Sequence, residues 1–521
     1  MCLCSVCVRM ELDYFSLHGK GIVIMGVMAV VLMIVSMFCF ASLVIAESAG
    51  DKMLPTAEDF FLHSGNMQSA YAFFSIFATS MGAILFLIIP NSLLPENDFY
   101  IVAVPIPIIF ALMIAYFGPR ISYYGKSYGY SGILDFFDDI YDSDALNAVF
   151  FSVAMVSCFM FLLLQLMAGG LLIHIASYGR LPFWIGVVIF AAFTAASLLG
   201  HGIRNILMMD VYYSIVVIIT FFASVSIGLI ALKKYTIWSP STVLIAGKIL
   251  NVNFMDVISM CVILPLGMVM MPHMWMRFYS ASTPTIFYRK SWIVRTIAVC
   301  SVFVLIMLAI LSILSSFSSE VTKENFYILP ILILEHLDPI SAAMLICGIA
   351  AAILPISNSQ VHAMIQMYIF TMNGDKLGAK FDNKWLKSAS GEFVILVLLV
   401  AILVNLLVQP DLLRFMSLIL GIVSQFSVAT LGGLRWQRSN SKGAIAGMCV
   451  GIAFLMILTY GFKVKPLLAA LIALGVNAII FCMIGKVLRP NKRTRERIAA
   501  YSGEICKSRS DVKKLTNASR K

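Results

Sequence analysis

Several oxygen- and nitrogen-bearing side chains lie inside runs that are otherwise apolar. The densest group is Pro355-Ile356-Ser357-Asn358-Ser359-Gln360, followed by His362 and Gln366, within residues 350–372. That run is long enough to cross a bilayer. A polar group left unpartnered in hydrocarbon costs a few kcal/mol, so such residues face other helices or a wet cavity. Asp210 is a second such residue. An aspartate at this depth guides a cation or relays a proton, or it pairs with a nearby base, for which Arg204 is the sequence neighbour. His362 and Gln366 share a helix face by their spacing of four, which allows proton chemistry or plain packing.

The elements that must hold these groups are helices. The 521 residues are 61% hydrophobic and 12% charged, far from the half apolar, quarter charged balance of a soluble domain. Segmentation gives an all-α polytopic membrane protein of about 13 transmembrane helices. The spans fall at 21–46, 68–92, 98–118, 146–178, 181–200, 205–232, 255–277, 291–316, 340–372, 391–409, 413–433, 443–462 and 465–487. The first is too long for the apolar core of a cleaved leader and is kept as a helix. Lys and Arg favour the side holding residues 488–521, which places the C terminus in the cytoplasm and residues 1–20 outside. The net charge of +11 follows from that asymmetry, and nucleic-acid binding is not needed to explain it. Anionic lipid is the alternative docking surface for the basic tail.

Cys2, Cys4 and Cys7 crowd the first residues but lack the paired spacing and histidines of a metal site, and translation from Met10 would remove them. No phosphate-binding loop, metal-ligand cluster or nucleophile elbow occurs, so no enzyme is expected and no cofactor is implied. Two interrupted helices are expected at matching positions. One is at Ala78-Thr79-Ser80-Met81-Gly82-Ala83, the other at Pro265-Leu266-Gly267. Paired breaks of this kind point to an inverted-repeat transporter with a site near the membrane midplane. Leu134-Asp135-Phe136-Phe137-Asp138-Asp139-Ile140 is able to form a short interfacial helix, and residues 326–336 an outer surface helix or lid.

Six stretches occur in register with one family. Thr56-Ala57-Glu58-Asp59-Phe60-Phe61-Leu62, residues 125–137, Gly202-Ile203-Arg204-Asn205 with Met209-Asp210-Val211, Pro272-His273-Met274-Trp275-Met276-Arg277, Gly433-Leu434-Arg435-Trp436, and Gly443-Ala444-Ile445-Ala446-Gly447 resemble motifs of the sodium:solute symporters, whose members carry proline, pantothenate or sugars. The resemblance implies a five-plus-five inverted-repeat core of the LeuT-like kind. Residues 68–232 would form the first repeat and 255–433 the second, with peripheral helices at 21–46 and 443–487. It also implies a sodium ion held by backbone carbonyls of Ala78, Met81 and Ala352 and by two adjacent hydroxyls. Those hydroxyl positions are Pro355 and Ile356 here, and an acidic position of some relatives is Ser80. Losing two of five oxygen ligands weakens a hard-cation site. Ser357 lies about 100° further round the helix. Gln165 falls on a family position that lines the solute cavity, a helix–helix hydrogen bond being the other reading. Ser80, Gln165, Pro265, Gly267 and Asn358 are the cavity expectation, with Asp210 and Ser357 on the cation or proton path. His273 and Arg277 read as anchors at the cytoplasmic end of their span. The function expected is secondary active symport of a small polar solute, proline first, driven by Na+ or H+, in a bacterial inner membrane. An uncoupled carrier and a solute sensor are the alternatives.

Overall fold

A computed structural model describes residues 21–50, 57–62, 65–83, 105–199, 202–234, 253–288, 339–373, 383–408 and 411–500. Among them, nine helices are long and apolar enough to cross a membrane, or ten if one sharply bent pair counts as a span. The expected span at 291–316, the segment 84–104, the lid at 326–336 and the cysteines at positions 2, 4 and 7 lie outside the described residues.

The elements in order are α1 (Gly21–Gly50), α2 (Ala57–Leu62), α3 (Ser69–Ala83), α4 (Pro105–Tyr128), α5 (Ile133–Tyr141), α6 (Asp144–Ala176), α7 (Phe183–Leu198) and α8 (Ile203–Lys234). There follow α9 (Phe254–Met270), α10 (Pro272–Ser280), α11 (Pro339–Asn373), α12 (Asn383–Leu407), α13 (Leu412–Ser424), α14 (Phe426–Arg435), α15 (Ser441–Met456) and α16 (Pro466–Val487). The long helix α11 is the axis of the bundle and packs on α1, α3, α6 and α8, while α9 packs on α4, α13 and α16. Helix starts follow local chemistry. Ser143, Asn253, Asp411 and Asn440 each accept a backbone N–H from the first turn of the helix they precede, satisfying donors that the helix itself cannot.

Neither expected interruption is where the sequence placed it. Helix α3 runs unbroken through Ala78–Ala83 as far as the described residues go, with Thr79 and Ser80 turning their hydroxyls back onto the carbonyls of Ser75 and Phe77. Pro265 and Gly267 are absorbed inside α9. A Cβ on Gly267 would stand 2.6 Å from the Leu420 carbonyl oxygen, so this glycine serves the close approach of α9 to α13. The break comes instead at Met271, where α9 and α10 meet at 60°. Pro272 has no N–H and crowds the residue before it, and Met271 is extended at φ −60°, ψ 135°, as that crowding requires. Pro355, by contrast, sits in the middle of α11 without stopping it.

At Gln425, still in helical conformation (φ −63°, ψ −26°), α13 passes into α14 within one span, Leu412–Arg435. Asn477 of α16 donates to both the main-chain and side-chain oxygens of Gln425, at 3.1 and 3.0 Å. Asn477 on α16 thereby gives the buried Gln425 side-chain oxygen its partner.

Candidate functional site: a buried arginine joining four helices

Arg277 lies on α10, two turns past the break, and is only 2% exposed. Its guanidinium reaches four helices. Nε donates to Ser75 Oγ of α3 (2.9 Å), Nη1 to the His273 carbonyl of its own helix (3.0 Å), and Nη2 to both Asp210 Oδ2 of α8 (3.2 Å) and Ser359 Oγ of α11 (2.5 Å). Ser75 in turn donates to Asp210 Oδ2 at 2.5 Å. Four of the five guanidinium N–H groups are thus used, and both members of the ion pair are dry, at 2% and 1% exposure. A pair taken out of water holds only when such hydrogen bonds accompany it. Asp210 therefore pairs with Arg277 and not with Arg204, and Arg277 and His273 are interior groups instead of boundary anchors.

The sequence supplies this geometry by register. Ser359 is four residues after Pro355 and donates to its carbonyl at 2.5 Å. The same hydroxyl accepts from Arg277, so the cation is tied to the backbone of α11 next to the proline. Pro355 also removes the N–H that the Ala351 carbonyl would accept in a regular helix. On the neighbouring face of α11, Gln360 Nε2 meets His273 Nδ1 at 2.9 Å.

Several polar atoms at this level have no protein partner. They are Asp210 Oδ1, His273 Nε2, Gln360 Oε1 and both amide atoms of Asn358, the last on a side chain 1% exposed. Buried polar atoms nearly always find a partner from protein, water or ligand.

The positions carried over for sodium lie on α3 and α11, which pack against each other. Pro355 and Ile356 bring no oxygen on their side chains, and Ser357 Oγ turns back toward the Ile353 carbonyl at 3.4 Å. The Ala78 carbonyl belongs to an unbroken stretch of α3, Met81 follows in the same helix, and Ala352 is sealed in α11 with no exposed surface. The other expected residues are divided among separate tasks. Gln165 is fully buried in α6. Ser80 bonds its own helix. His362 packs against the rings of Phe60 and Phe61 at 5.9 and 5.5 Å, while Gln366 donates to Ser131 at 2.8 Å. On their shared face His362 meets aromatic rings and Gln366 makes a loop contact.

Sequence reasoning missed Ser75, assigned Arg277 and His273 to the boundary, and named Ser359 and Gln360 without their partners. An arginine embedded in Met271-Pro272-His273-Met274-Trp275-Met276 was the available signal, because a base among such neighbours needs a buried acid.

Comparison with known proteins agrees with this architecture. The sequence profile of the sodium:solute symporter family matches residues 60–451. A solved structure described as the substrate-bound outward-open state of a Na+-coupled sialic acid symporter superposes with a TM-score of 0.72. It shares 15% identity, and the match covers 89% of this chain and 98% of that one. No match was found among curated proteins.

Proposed function

Because this chain belongs to the sodium:solute symporter family, integral membrane proteins that perform secondary active symport and are not enzymes, we propose that it carries a small polar organic solute, with amino acids such as proline the first class to test. The observation behind this reading is Asn358, whose amide is buried in the axial helix with neither end partnered. A solute carboxylate, hydroxyl or amide would satisfy it, as would the free atoms of Gln360 and His273. Gln165 completes the polar lining, with Ser80, Pro265 and Gly267 on the helices around it.

Alternating access requires the helices around a central site to change partners. Arg277 holds α3, α8, α10 and α11 together in the arrangement described, so exchange between states has to loosen at least one of its bonds. Asp210 and Ser357 belong to the cation or proton path in this reading, Asp210 through its unpartnered oxygen. Sodium is the coupling ion of the family. A second reading, proton-coupled or uncoupled transport, is favoured by the lack of hydroxyls at Pro355 and Ile356 and by the continuity of α3. The density of Lys and Arg around residues 435–442 and 486–497 supports a cytoplasmic C terminus in a plasma membrane, the bacterial inner membrane by first assignment.

Thermal unfolding with a panel of amino acids, carboxylates and sugars, each in sodium chloride and in choline chloride, tests both parts. A ligand at about 100 times its Kd adds about 2.7 kcal/mol. An amino acid should raise Tm in the native chain and not in Asn358→Leu. A Tm indifferent to every solute in the panel, or an equal rise in the variant, refutes the site. Stabilisation that needs sodium sinks the second reading.

A further inference from the structure

The end of the bundle where α4, α6 and α11 meet holds a cavity of about 620 Å³, bordered by Tyr130, Asp138, Asn147, Gln366, Phe370 and Arg497. Its wall on one side is the short helix α5, and Arg497 comes from a part of the chain far from the rest. Residues 492–500 are helical and follow α16. Thr494 and Ile498, one turn apart, are buried at 2% and 0% exposure, so this segment is seated by an apolar edge. Arg493 and Arg497, also one turn apart, point at α5. Arg493 pairs with Asp142 at 2.6 Å and with Asp139 at 3.5 Å, and Arg497 pairs with Asp139 at 2.9 Å. The Arg497 guanidinium also lies 4.5 Å over the ring of Tyr128, and Tyr130 donates to the other Asp139 oxygen at 2.5 Å.

Helix α5 is connected to the bent span α9–α10 and to α14. Phe136 and Phe137 pack on Trp275, with ring centroids 5.2 and 6.1 Å apart, and Trp275 is two residues from Arg277. The Tyr141 hydroxyl donates to the Ala429 carbonyl of α14 at 2.7 Å. Its start is pinned through Asp135, which accepts from Ser131 and Gly132. Burial lifts that carboxyl above its ordinary range, those hydrogen bonds opposing the shift. A body gripped at so many points moves only with the spans it touches. The two arginines grip it from outside the repeat core.

We propose that residues 492–500 are an ionic latch on α5, whose release is a condition for the cavity at this end to open. The two arginine side chains are 46% and 33% exposed, within reach of dissolved salt, so the latch responds to ionic strength. The inference is independent of which solute is carried.

Hydrogen exchange of the full chain in lipid nanodiscs tests it. In Arg493→Gln/Arg497→Gln, amides of residues 128–147 should exchange about tenfold faster while those of 441–456 stay unchanged. About 0.5 M choline chloride should produce the same rise in the native chain and add little in the double variant. Arg493→Asp should loosen α5, and Asp142→Arg placed with it should restore protection. The latch is refuted if only residues 492–500 loosen, if 441–456 loosen equally, or if the reversed pair fails to rescue.

Discussion

Asp210–Arg277 and the arginine pairs on α5 use the same two functional groups at opposite depths, and the depth changes what each can do. At the core, solvent contributes nothing, and every donor and acceptor must be supplied by Ser75, Ser359 and the His273 carbonyl. That pair fixes geometry, and its disruption is costly because a bare charge would remain in a dry interior. At the rim, water and salt can replace either partner, so the pairs there contribute little energy but can be released. A carrier that must hold one arrangement and still leave it has use for both kinds.

The largest expected effect breaks the core pair. Arg277→Gln alone leaves Asp210 buried without its base and should destabilise the fold by about 3–5 kcal/mol. Adding Asp210→Asn should recover part of that loss, since no uncompensated charge remains. Thermal unfolding of the two singles and the double measures this coupling. If the double is as unstable as the sum of the singles, the pair is not a unit. Next in size, Ser359→Ala removes one hydrogen bond to the guanidinium and should cost about 1.5–3 kcal/mol, with Ser75→Ala similar. A change within the noise would mean that the serines are packing residues only. Asn477→Leu leaves Gln425 Oε1 unpaired and should cost about 1–3 kcal/mol. At the rim, Arg493→Gln/Arg497→Gln should lower global stability by no more than about 1 kcal/mol for each arginine. Choline chloride should erase that difference while leaving the Arg277→Gln deficit in place. A rim deficit immune to salt would overturn the contrast between the two regions.

The all-helical membrane class was legible because hydrophobic runs of this length have one physical solution. Asp210 and Asn358 were legible as buried polar residues for the same reason. The partner of Asp210 was not. Arg277 lies 67 positions from Asp210, and its neighbours Met271–Met276 hint at burial without naming the acid it meets. Breaks were misplaced because a proline in a helix is ambiguous. Pro265 and Pro355 are accommodated within long helices, whereas Pro272 begins one and forces Met271 to be extended. Gly267 misled for a related reason, since in sequence a glycine at a tight helix contact looks the same as a glycine at a break. The seating of residues 492–500 on α5 was likewise invisible, as a basic tail reads first as a charge that sets orientation.

Uptake into proteoliposomes measures the transport claim directly. Labelled proline, then other amino acids, should accumulate above the external concentration when an inward sodium or proton gradient is imposed, and Asn358→Leu should abolish it while remaining folded. Saturable binding with no accumulation under either gradient would contradict symport and make the chain a solute sensor.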